Sequence, residues 1–343
     1  MSGLTLVDLQ KRLTPNQEGH IAVAEILNKT MPLLKDAPWM PTNKTDSRTT
    51  GVRSGLPRSH RRRGNRGTKI SKSTVVQNEE STTMREAYAE NDTEIIDSFG
   101  EGSMEARASE SSAFIEGVGQ GFCEDLWYGN KTDDSDSIDG LANRYNKLSN
   151  MGANNIGQNV INAGGSGGDN SSIYLIKWMP NKVGLIYPKR NKGDAKGAVE
   201  HDDLGIQTAD LVDAAGDRNL MKVYRDRFAM RGGWCISDWR CVVRICNIDI
   251  SDLLAAGASR DPMMSSRLRF LLTQALHRLP MGDGMMRIYM NRTVAEYLDI
   301  ERLKAVGNAG MTYKEVDGME LPTFRNVPIR IDDTLTTGEQ AVA

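Results

Sequence analysis

The strongest constraint in the sequence is the separation of its charges into two neighbouring segments of opposite sign. Residues 47–78 contain nine Lys or Arg residues and no Asp or Glu, whereas residues 79–139 contain seventeen Asp or Glu residues and only three Lys or Arg. The whole chain of 343 residues has a formal net charge of only −2. Each charged segment can therefore be neutralised by the opposite segment of another copy, and the pattern predicts a subunit that self-assembles.

The composition of the basic segment excludes a helix and favours strands. Gly and Pro recur through it at a density that helix interiors do not tolerate: Gly51, Gly55, Pro57, Gly64 and Gly67. Its flanks, residues 49–53 and 69–76, lean towards Thr, Val and Ile, so we predict a long two-stranded ribbon with a Gly-containing tip. A lone ribbon of two strands is marginally stable in water, so we expect it to lie on an acidic protein surface.

The ribbon and the acidic segment supply the candidate contact residues between copies. The basic candidates are Arg48, Arg53, Arg58, Arg61, Arg62, Arg63, Arg66, Lys69 and Lys72. The candidates for the acidic partner surface are Glu79, Glu80, Glu86, Glu105, Glu110 and Glu116. A second interpretation is that segment 48–72 is a disordered arm of a nucleic-acid-binding protein, which neutralises phosphates. The alternation of cations with strand-forming Val, Ile and Thr favours the ribbon.

Two features of the first half outside the ribbon predict helices. Residues 3–34 have a helical pattern, and the prolines that follow predict an extended arm around Trp39. Residues 104–128 predict a long amphipathic helix with a buried stripe at Phe114, Val118, Phe122 and Leu126. Each Gly in that helix costs up to ~1 kcal/mol relative to Ala, so we expect a bend or the close approach of another backbone at Gly117, Gly119 and Gly121.

The second half mixes strands and helices without a strict β-α-β rhythm, which predicts an α+β fold. Residues 172–179 and 183–187 are predicted to form a hairpin, and residues 239–246 are the clearest strand that follows. The remaining predicted elements are a helix at 263–279, a strand at 286–290, a helix at 293–303 and a strand at 327–331. The longest apolar runs fall far short of the roughly 20 residues that cross a bilayer, so we predict no membrane contact.

Some sequence patterns resemble catalytic or metal-binding motifs, but the residues around them do not match what those motifs require. Ser166 lies in a G-x-S-x-G pattern, but a polar loop precedes it and a strand follows, whereas a nucleophile elbow follows a strand and opens a helix. His201 has no second His nearby, so we predict an exposed turn there rather than a metal site. The four cysteines show no C-x-x-C pairing. We therefore predict no catalytic residue, no metal and no cofactor, with a hydrolase using Ser166 as the enzymatic alternative.

Several motifs, in their order along the chain, resemble those of the major capsid proteins of tailed bacteriophages. In the first half these are TGVRSGLP at 50–57, LWYGN at 126–130 and GLANRY at 140–145. In the second half NVINAGG at 159–165 and DWRCVVRICNID at 238–249 are similar to capsid proteins of a short-tailed phage group. The resemblance covers essentially the whole chain.

The resemblance implies the Hong Kong 97-type capsid fold, and it assigns each part of the sequence to a part of that fold. Residues 1–46 would form an N-terminal arm and 47–78 an extended basic loop that reaches across a neighbouring subunit. Residues 79–150 would hold the spine helix and the start of the peripheral domain. Residues 151–343 would form the axial domain, interleaved with returning peripheral strands.

The same resemblance implies function and partners. The chain would assemble into hexamers and pentamers of an icosahedral shell that encloses the double-stranded DNA genome of a phage. Its partners would be other copies, a portal, and separate scaffold or decoration proteins, with assembly in the host cytoplasm. Lys69 and Lys72 lie where some capsids form covalent links, but no matching partner is evident, so we expect noncovalent closure.

Overall fold

The computed structural model describes residues 29–98, 100, 103–150, 152, 154–189, 198–212, 218–253, 262–304, 311–316 and 319–342. The chain divides into two compact units. Unit 1 comprises Met1–Lys29, Thr83–Glu124 and Arg190–Arg231, and unit 2 comprises Thr30–Thr82, Asp125–Lys189 and Gly232–Ala343. Each unit is therefore assembled from three separate stretches of sequence. No helix in the described ranges has the length and apolar character of a membrane span.

Unit 1 is built from long strands and a long helix. Strand β4 (Thr83–Asp92) leads into helix α2 (Thr93–Asp97), and helix α3 (Ser103–Tyr128) follows, with its residues up to Glu124 in this unit. Strands β8 (Val199–Val212) and β9 (Arg218–Ile236, in this unit up to Arg231) form an antiparallel hairpin, whose register runs from Val199 opposite Met230 to Val212 opposite Arg218. Strand β8 was not predicted, because its polar residues do not alternate with apolar ones.

Unit 2 contains a seven-stranded mixed sheet. The strand order is β12 (Met311–Val316), β13 (Met319–Phe324), β14 (Val327–Ile331), β11 (Met285–Met290), β6 (Asn170–Trp178), β10 (Val242–Asp249) and β5 (Val160–Asn162). Every residue of β6 is buried. The core of the sheet includes apolar residues of helices α5 (Pro262–Arg278) and α6 (Arg292–Lys304), among them Leu272 and Leu298. Burial of these leucines contributes about 1.5–3 kcal/mol each.

The remaining elements of unit 2 are the first helix and strand of the described chain, the two strands of the ribbon, and a short helix after α3. Helix α1 (Pro32–Asp36) precedes strand β1 (Trp39–Pro41), which pairs with β7 (Val183–Tyr187). Strands β2 (Ser47–Gly55) and β3 (Thr74–Ser81) form a separate two-stranded sheet. Helix α4 (Leu141–Arg144) follows α3 after a turn.

Most predicted elements are present, and the α+β class is confirmed. The predicted helix at 104–128 is Ser103–Tyr128, and the strand at 327–331 is Val327–Ile331. Most of the predicted helix at 3–34 lies outside the described residues. In the described part, Pro32 begins a short helix, because Pro fits the first helical turn, where its missing N–H is not needed. Trp39 is extended in β1, as predicted.

The predicted hairpin is wrong, and one confirmed strand begins later than predicted. Strands β6 and β7 do not form a hairpin: β6 pairs with β10 and β11, whereas β7 pairs with β1 and β9. A single bridge between Met179 and Val183 joins them at their turn. Both strands are nearly continuous buried runs, which identify a strand but not its neighbours. The predicted strand at 239–246 begins only at Val242, because Asp238 caps a 3-10 turn by accepting a hydrogen bond from the Arg240 N–H.

The apolar stripe of α3 is buried only towards its C-terminal end. Phe122 is fully buried, as predicted, whereas Phe114 and Val118 are only half-buried. Phe114 stacks on Phe228, with ring centroids 6.1 Å apart. The expectation that all three are buried within the subunit is therefore corrected for Phe114 and Val118.

The difference in burial between Phe122 and Phe114 can be tested by mutation. Replacing Phe122 with Ala should lower the free energy of unfolding by about 3–5 kcal/mol, because a fully buried ring leaves a cavity. Phe114→Ala, the matched control, should cost clearly less, because that side chain is only half-buried. Chemical denaturation of dissociated subunits measures both values, and equal losses would contradict the assignment of the core.

Candidate assembly surface

The predicted ribbon exists, and its base is fixed by hydrogen bonds to unit 2. Strands β2 and β3 are antiparallel, with Arg48 opposite Glu80 and Val52 opposite Val76. The Asn78 side-chain amide donates to the carbonyl oxygen of Ile236 at 3.5 Å. The Ser237 hydroxyl donates to the Thr50 hydroxyl oxygen at 3.2 Å. The ribbon therefore leaves the body of unit 2 in a defined direction.

A bidentate ion pair lies at the centre of this base. Arg144 donates from Nη1 to Glu80 Oε1 at 2.7 Å and from Nη2 to Oε2 at 2.6 Å. Glu80 is buried and Arg144 is half-buried. Burial by itself would lower the pKa of Arg144, but the hydrogen bonds and charge of Glu80 raise that pKa above its ordinary value. Such paired, charge-assisted hydrogen bonds are among the strongest in proteins.

Two more of the predicted contact residues also serve the base of the ribbon. Glu79 Oε1 accepts from Lys44 Nζ at 2.8 Å and from the Ser47 hydroxyl at 2.6 Å, and these bonds hold the pKa of Glu79 below its usual value. Arg48 Nη1 donates to the carbonyl oxygen of Pro41 at 2.7 Å. Arg48, Glu79 and Glu80 therefore have partners within their own subunit.

The outer part of the ribbon is bare. Ile70 is fully exposed at 101% and Leu56 is exposed at 78%, while Val75 and Val76 on β3 are each exposed at 58%. The hydrogen bonds beyond Gly55 are local, such as that from the Ser71 hydroxyl to the carbonyl oxygen of Arg58 at 2.8 Å. Eight exposed cations form no ion pair with any residue that the structure describes: Arg53, Arg58, Arg61, Arg62, Arg63, Arg66, Lys69 and Lys72.

The predicted acidic residues of unit 1 lie in different surroundings. Glu86 on β4 accepts from Arg227 Nε at 2.9 Å, and this bond lowers the pKa of Glu86. Glu116 Oε1 on α3 accepts from the Lys29 backbone N–H at 3.1 Å. Glu105 is exposed near the start of α3, and Glu110 is half-buried one turn and a half further along. Four of the six predicted carboxylates, Glu79, Glu80, Glu86 and Glu116, therefore have partners within the subunit.

The residues weighed for catalysis lie in separate units. Ser166 is exposed in the Gly-rich loop of unit 2. His201 belongs to unit 1, where it is part of β8 rather than of the predicted turn, because β9 continues the strand ladder by pairing Phe228 with it. Its ring stacks on Phe228 at 4.7 Å, and its Nε2 lies 3.1 Å from Asp226 Oδ1. In the described part of the chain, no group of His, Cys, Asp and Glu residues is arranged to hold a metal ion.

A family model and a solved structure match the chain over nearly its full length. A family model described as major capsid protein GP7 matches residues 16–343. No curated protein matches the chain. A chain in the solved structure of bacteriophage Epsilon15 is 25% identical, with a TM-score of 0.70, over 100% of this chain and 98% of that chain. A chain of the bacteriophage JBD30 capsid is 12% identical, with a TM-score of 0.46, over 94% and 95% of the two chains.

The contribution of the Glu80–Arg144 pair to the base of the ribbon can be tested by removing the carboxylate of Glu80. Glu80→Ala should lower the free energy of unfolding by about 3–5 kcal/mol, because it leaves the largely buried Arg144 guanidinium without its partner. Glu79→Ala is the control and should cost much less, because solvent screens the exposed pair with Lys44. Urea denaturation of dissociated subunits measures the difference. Similar losses for the two variants would show that the Glu80 pair does not fix the base.

Proposed function

Because the chain belongs to the GP7 family of major capsid proteins, we propose that its basic ribbon is the element by which one subunit holds the next in the shell. The protein is a structural subunit of a bacteriophage virion and forms an icosahedral capsid shell. The observation that carries the proposal is the outer part of the ribbon, where eight exposed cations form no ion pair with the described residues, and where Ile70 and Leu56 are exposed in the segment that joins β2 and β3. A two-stranded ribbon of this kind needs a partner surface to be stable in water.

The proposed assembly uses many weak contacts. Identical subunits associate into hexamers and pentamers through head-to-tail interfaces. Such interfaces give a closed ring when the repeated rotation between neighbouring subunits returns to the first subunit. Each contact is weak, but linked contacts over a lattice act together and stabilise the shell. Opposite charges across the interface set the register and the rate of encounter more than the affinity.

On the acidic side, the proposal depends on the carboxylates along α3. Glu80 is buried in its pair with Arg144, so its predicted role as an intersubunit partner is not retained. Glu79 and Glu86 are already bonded to Lys44 and Arg227. Glu105, which is exposed near the start of α3, is the principal acidic candidate, with Glu110 and Glu116 contributing their charge. Arg48 likewise supports the base of the ribbon, while the other eight cations make the contact.

The two units fit the domains that the family resemblance implies. Unit 1, which holds most of α3 and the β8–β9 hairpin, is proposed as the peripheral domain. The seven-stranded sheet of unit 2, with α5 and α6, is proposed as the axial domain around the centres of hexamers and pentamers. In the sequence, the N-terminal arm would occupy 1–46, the extended loop 47–78, the spine region 79–150 and the axial region 151–343.

The proposal includes partners and excludes catalysis. The shell would enclose double-stranded DNA, be joined by a portal and by separate scaffold or decoration proteins, and assemble in the host cytoplasm. It would close without covalent links at Lys69 or Lys72, and without a cofactor. The alternative function is nucleic-acid binding by segment 48–72, which its exposed cations would also support.

Reversing the charge of the tip tests the assembly role. The triple variant Arg61→Glu, Arg62→Glu, Arg63→Glu should give folded, soluble subunits that do not form shells, because like charges across an interface cost several kcal/mol. Sedimentation and electron microscopy measure the outcome. The triple variant with Lys at the same positions is the control, and it should assemble because it keeps the charge.

Normal shells from the Glu variant would refute the assembly role of the tip. A wild-type chain that sediments as a small species, and whose size changes on adding DNA, would instead support the nucleic-acid-binding alternative.

The absence of catalysis can be tested at Ser166 and His201. Ser166→Ala and His201→Ala should each leave particle formation and infectivity close to those of the wild type. Ser166 lies exposed in a surface loop, and such loops tolerate small changes. Loss of infectivity in both variants, with intact particles, would support the hydrolase alternative.

A further inference from the structure

The turn that follows β14 joins three separate parts of unit 2. The Asp332 backbone N–H donates to the carbonyl oxygen of Met290, the last residue of β11, at 3.0 Å. Asp333 exchanges hydrogen bonds with Thr30, the first residue of the unit: its N–H donates to the Thr30 carbonyl oxygen, and its Oδ2 accepts from the Thr30 N–H, each at 3.1 Å. Beyond the turn, the C-terminal segment (residues 334–342) leads to the buried Glu339. The turn therefore fixes where this segment attaches.

Asp332 is a fully buried carboxylic acid in this turn, with an exposed fraction of 0%. Its Oδ1 accepts hydrogen bonds from the Thr334 backbone N–H, at 3.0 Å, and from the Thr334 hydroxyl. Its Oδ2 is buried without a hydrogen-bond partner among the residues that the structure describes. Within those residues, Asp332 also forms no ion pair. Burial of an unpaired carboxylate is unfavourable, so this site favours the neutral acid.

The groups around Asp332 shift two adjacent carboxyls in opposite directions. Burial raises the pKa of Asp332 to about 6, in spite of the Thr334 donors and the nearby indole of Trp127, and the charge of Asp333 acts in the same direction as burial. Arg292, the first residue of α6, binds Asp333 through Nε at 3.0 Å and Nη2 at 2.7 Å. Burial would raise the pKa of Asp333, but the hydrogen bonds and charge of Arg292 lower it below its ordinary value.

The arginines of the two nearest strands are bound to another carboxylate. Arg330 on β14 donates from Nε and Nη2 to the two oxygens of Asp36, each at 3.0 Å. Arg287 on β11 lies with its Nε 3.8 Å from Asp36 Oδ2. In the described part of the turn, the ion pairs thus supply Asp333 with a cation and leave Asp332 without one.

We propose that Asp332 is a proton-dependent attachment point of the C-terminal segment, which binds unit 2 more firmly when the carboxyl is protonated. The direction follows from linkage. Because the folded chain keeps this proton to a higher pH than the unfolded chain, stability is lost as the pH rises from the ordinary pKa of 3.8 to about 6. One unit of pKa shift is a factor of about ten in an equilibrium constant, so Asp332 should raise the unfolding constant about tenfold between about pH 5 and about pH 7.5.

Urea denaturation of dissociated, full-length subunits at several pH values tests this dependence. Asp332→Asn carries no charge at any pH, and its side-chain carbonyl oxygen can still accept from Thr334. Relative to the wild type, this variant should gain about tenfold in the ratio of folded to unfolded chain between about pH 5 and about pH 7.5. Parallel profiles of the wild type and Asp332→Asn, at whatever stability, would overturn the proposal.

Asp333→Asn is the matched control for a purely structural role. It removes the carboxylate that binds Arg292, so it should be less stable than the wild type at both pH values. Its pH dependence in this range should nevertheless follow that of the wild type, because Asp332 is retained. A pH dependence that disappears in Asp333→Asn as well would assign the effect to the whole turn and overturn the role of Asp332.

Carbon-13 NMR of the aspartate side chains measures the titration in the wild type, so this measurement does not depend on the folding of a variant. The Asp332 carboxyl resonance, assigned through its backbone neighbours, should titrate with a midpoint well above the ordinary value of 3.8. A midpoint at or below that value would overturn the proposal.

Digestion from the C-terminus localises the effect. A carboxypeptidase should release the residues beyond Glu339 faster from the wild type than from Asp332→Asn, and this ratio should grow from about pH 5.5 to about pH 7.5. The pH dependence of the peptidase itself cancels in the ratio, because both chains are cut by the same enzyme. An equal ratio at both pH values would show that Asp332 does not control the attachment of the segment.

Discussion

Much of unit 2 depends on the burial of one guanidinium. Arg244 on β10 is almost fully buried, and it donates to Glu339 Oε2 at 2.7 Å and to the Ser172 hydroxyl at 3.0 Å. Its Nη1 donates to the carbonyl oxygens of Ala142 and Tyr145, each at 2.9 Å. Removing a partner of a buried charge costs about 3–5 kcal/mol, so these groups are held in place together. They come from three distant regions: the sheet, the segment after α3, and the C-terminal segment.

The same network sets the direction of the ribbon. By holding the carbonyl groups of Ala142 and Tyr145, Arg244 fixes the short helix α4 and presents Arg144 to Glu80. Glu339 also accepts from the Tyr128 hydroxyl at 2.8 Å, at the end of α3. Burial and the charge of Glu339 raise the pKa of Tyr128 well above its ordinary value, so this hydroxyl stays a donor. The direction of the projecting ribbon thus depends on a rigid, buried base.

The sequence predicts elements whose pattern is local and leaves out contacts between distant residues. The helix Ser103–Tyr128 follows from a four-residue repeat, and the ribbon follows from Gly, Pro and β-branched residues. The pair of Glu80 with Arg144 has no such signal, because nothing local marks two residues 64 positions apart as partners. Strand β8 was missed because its polar residues do not alternate with apolar ones, so only its pairing with β9 reveals it. For the candidate assembly surface, the sequence correctly identified the exposed cations of the ribbon. It did not show which of the six predicted carboxylates are exposed and which are bonded within the subunit.

Charge separation along the sequence therefore differs from charge separation in space. Acidic residues of segment 79–139 are neutralised by cations from later in the chain: Arg144 binds Glu80, Arg225 binds Glu90 and Arg227 binds Glu86. The eight outer cations of the ribbon receive no such partner from the described chain. The net charge of −2 shows that the sequence as a whole contains enough carboxylates to balance these cations. Because Coulomb attraction between exposed charges falls off within about 10 Å at ordinary salt, a carboxylate stabilises the outer ribbon only where it comes that close, and the proposed contact between subunits would bring carboxylates of a second copy within this range.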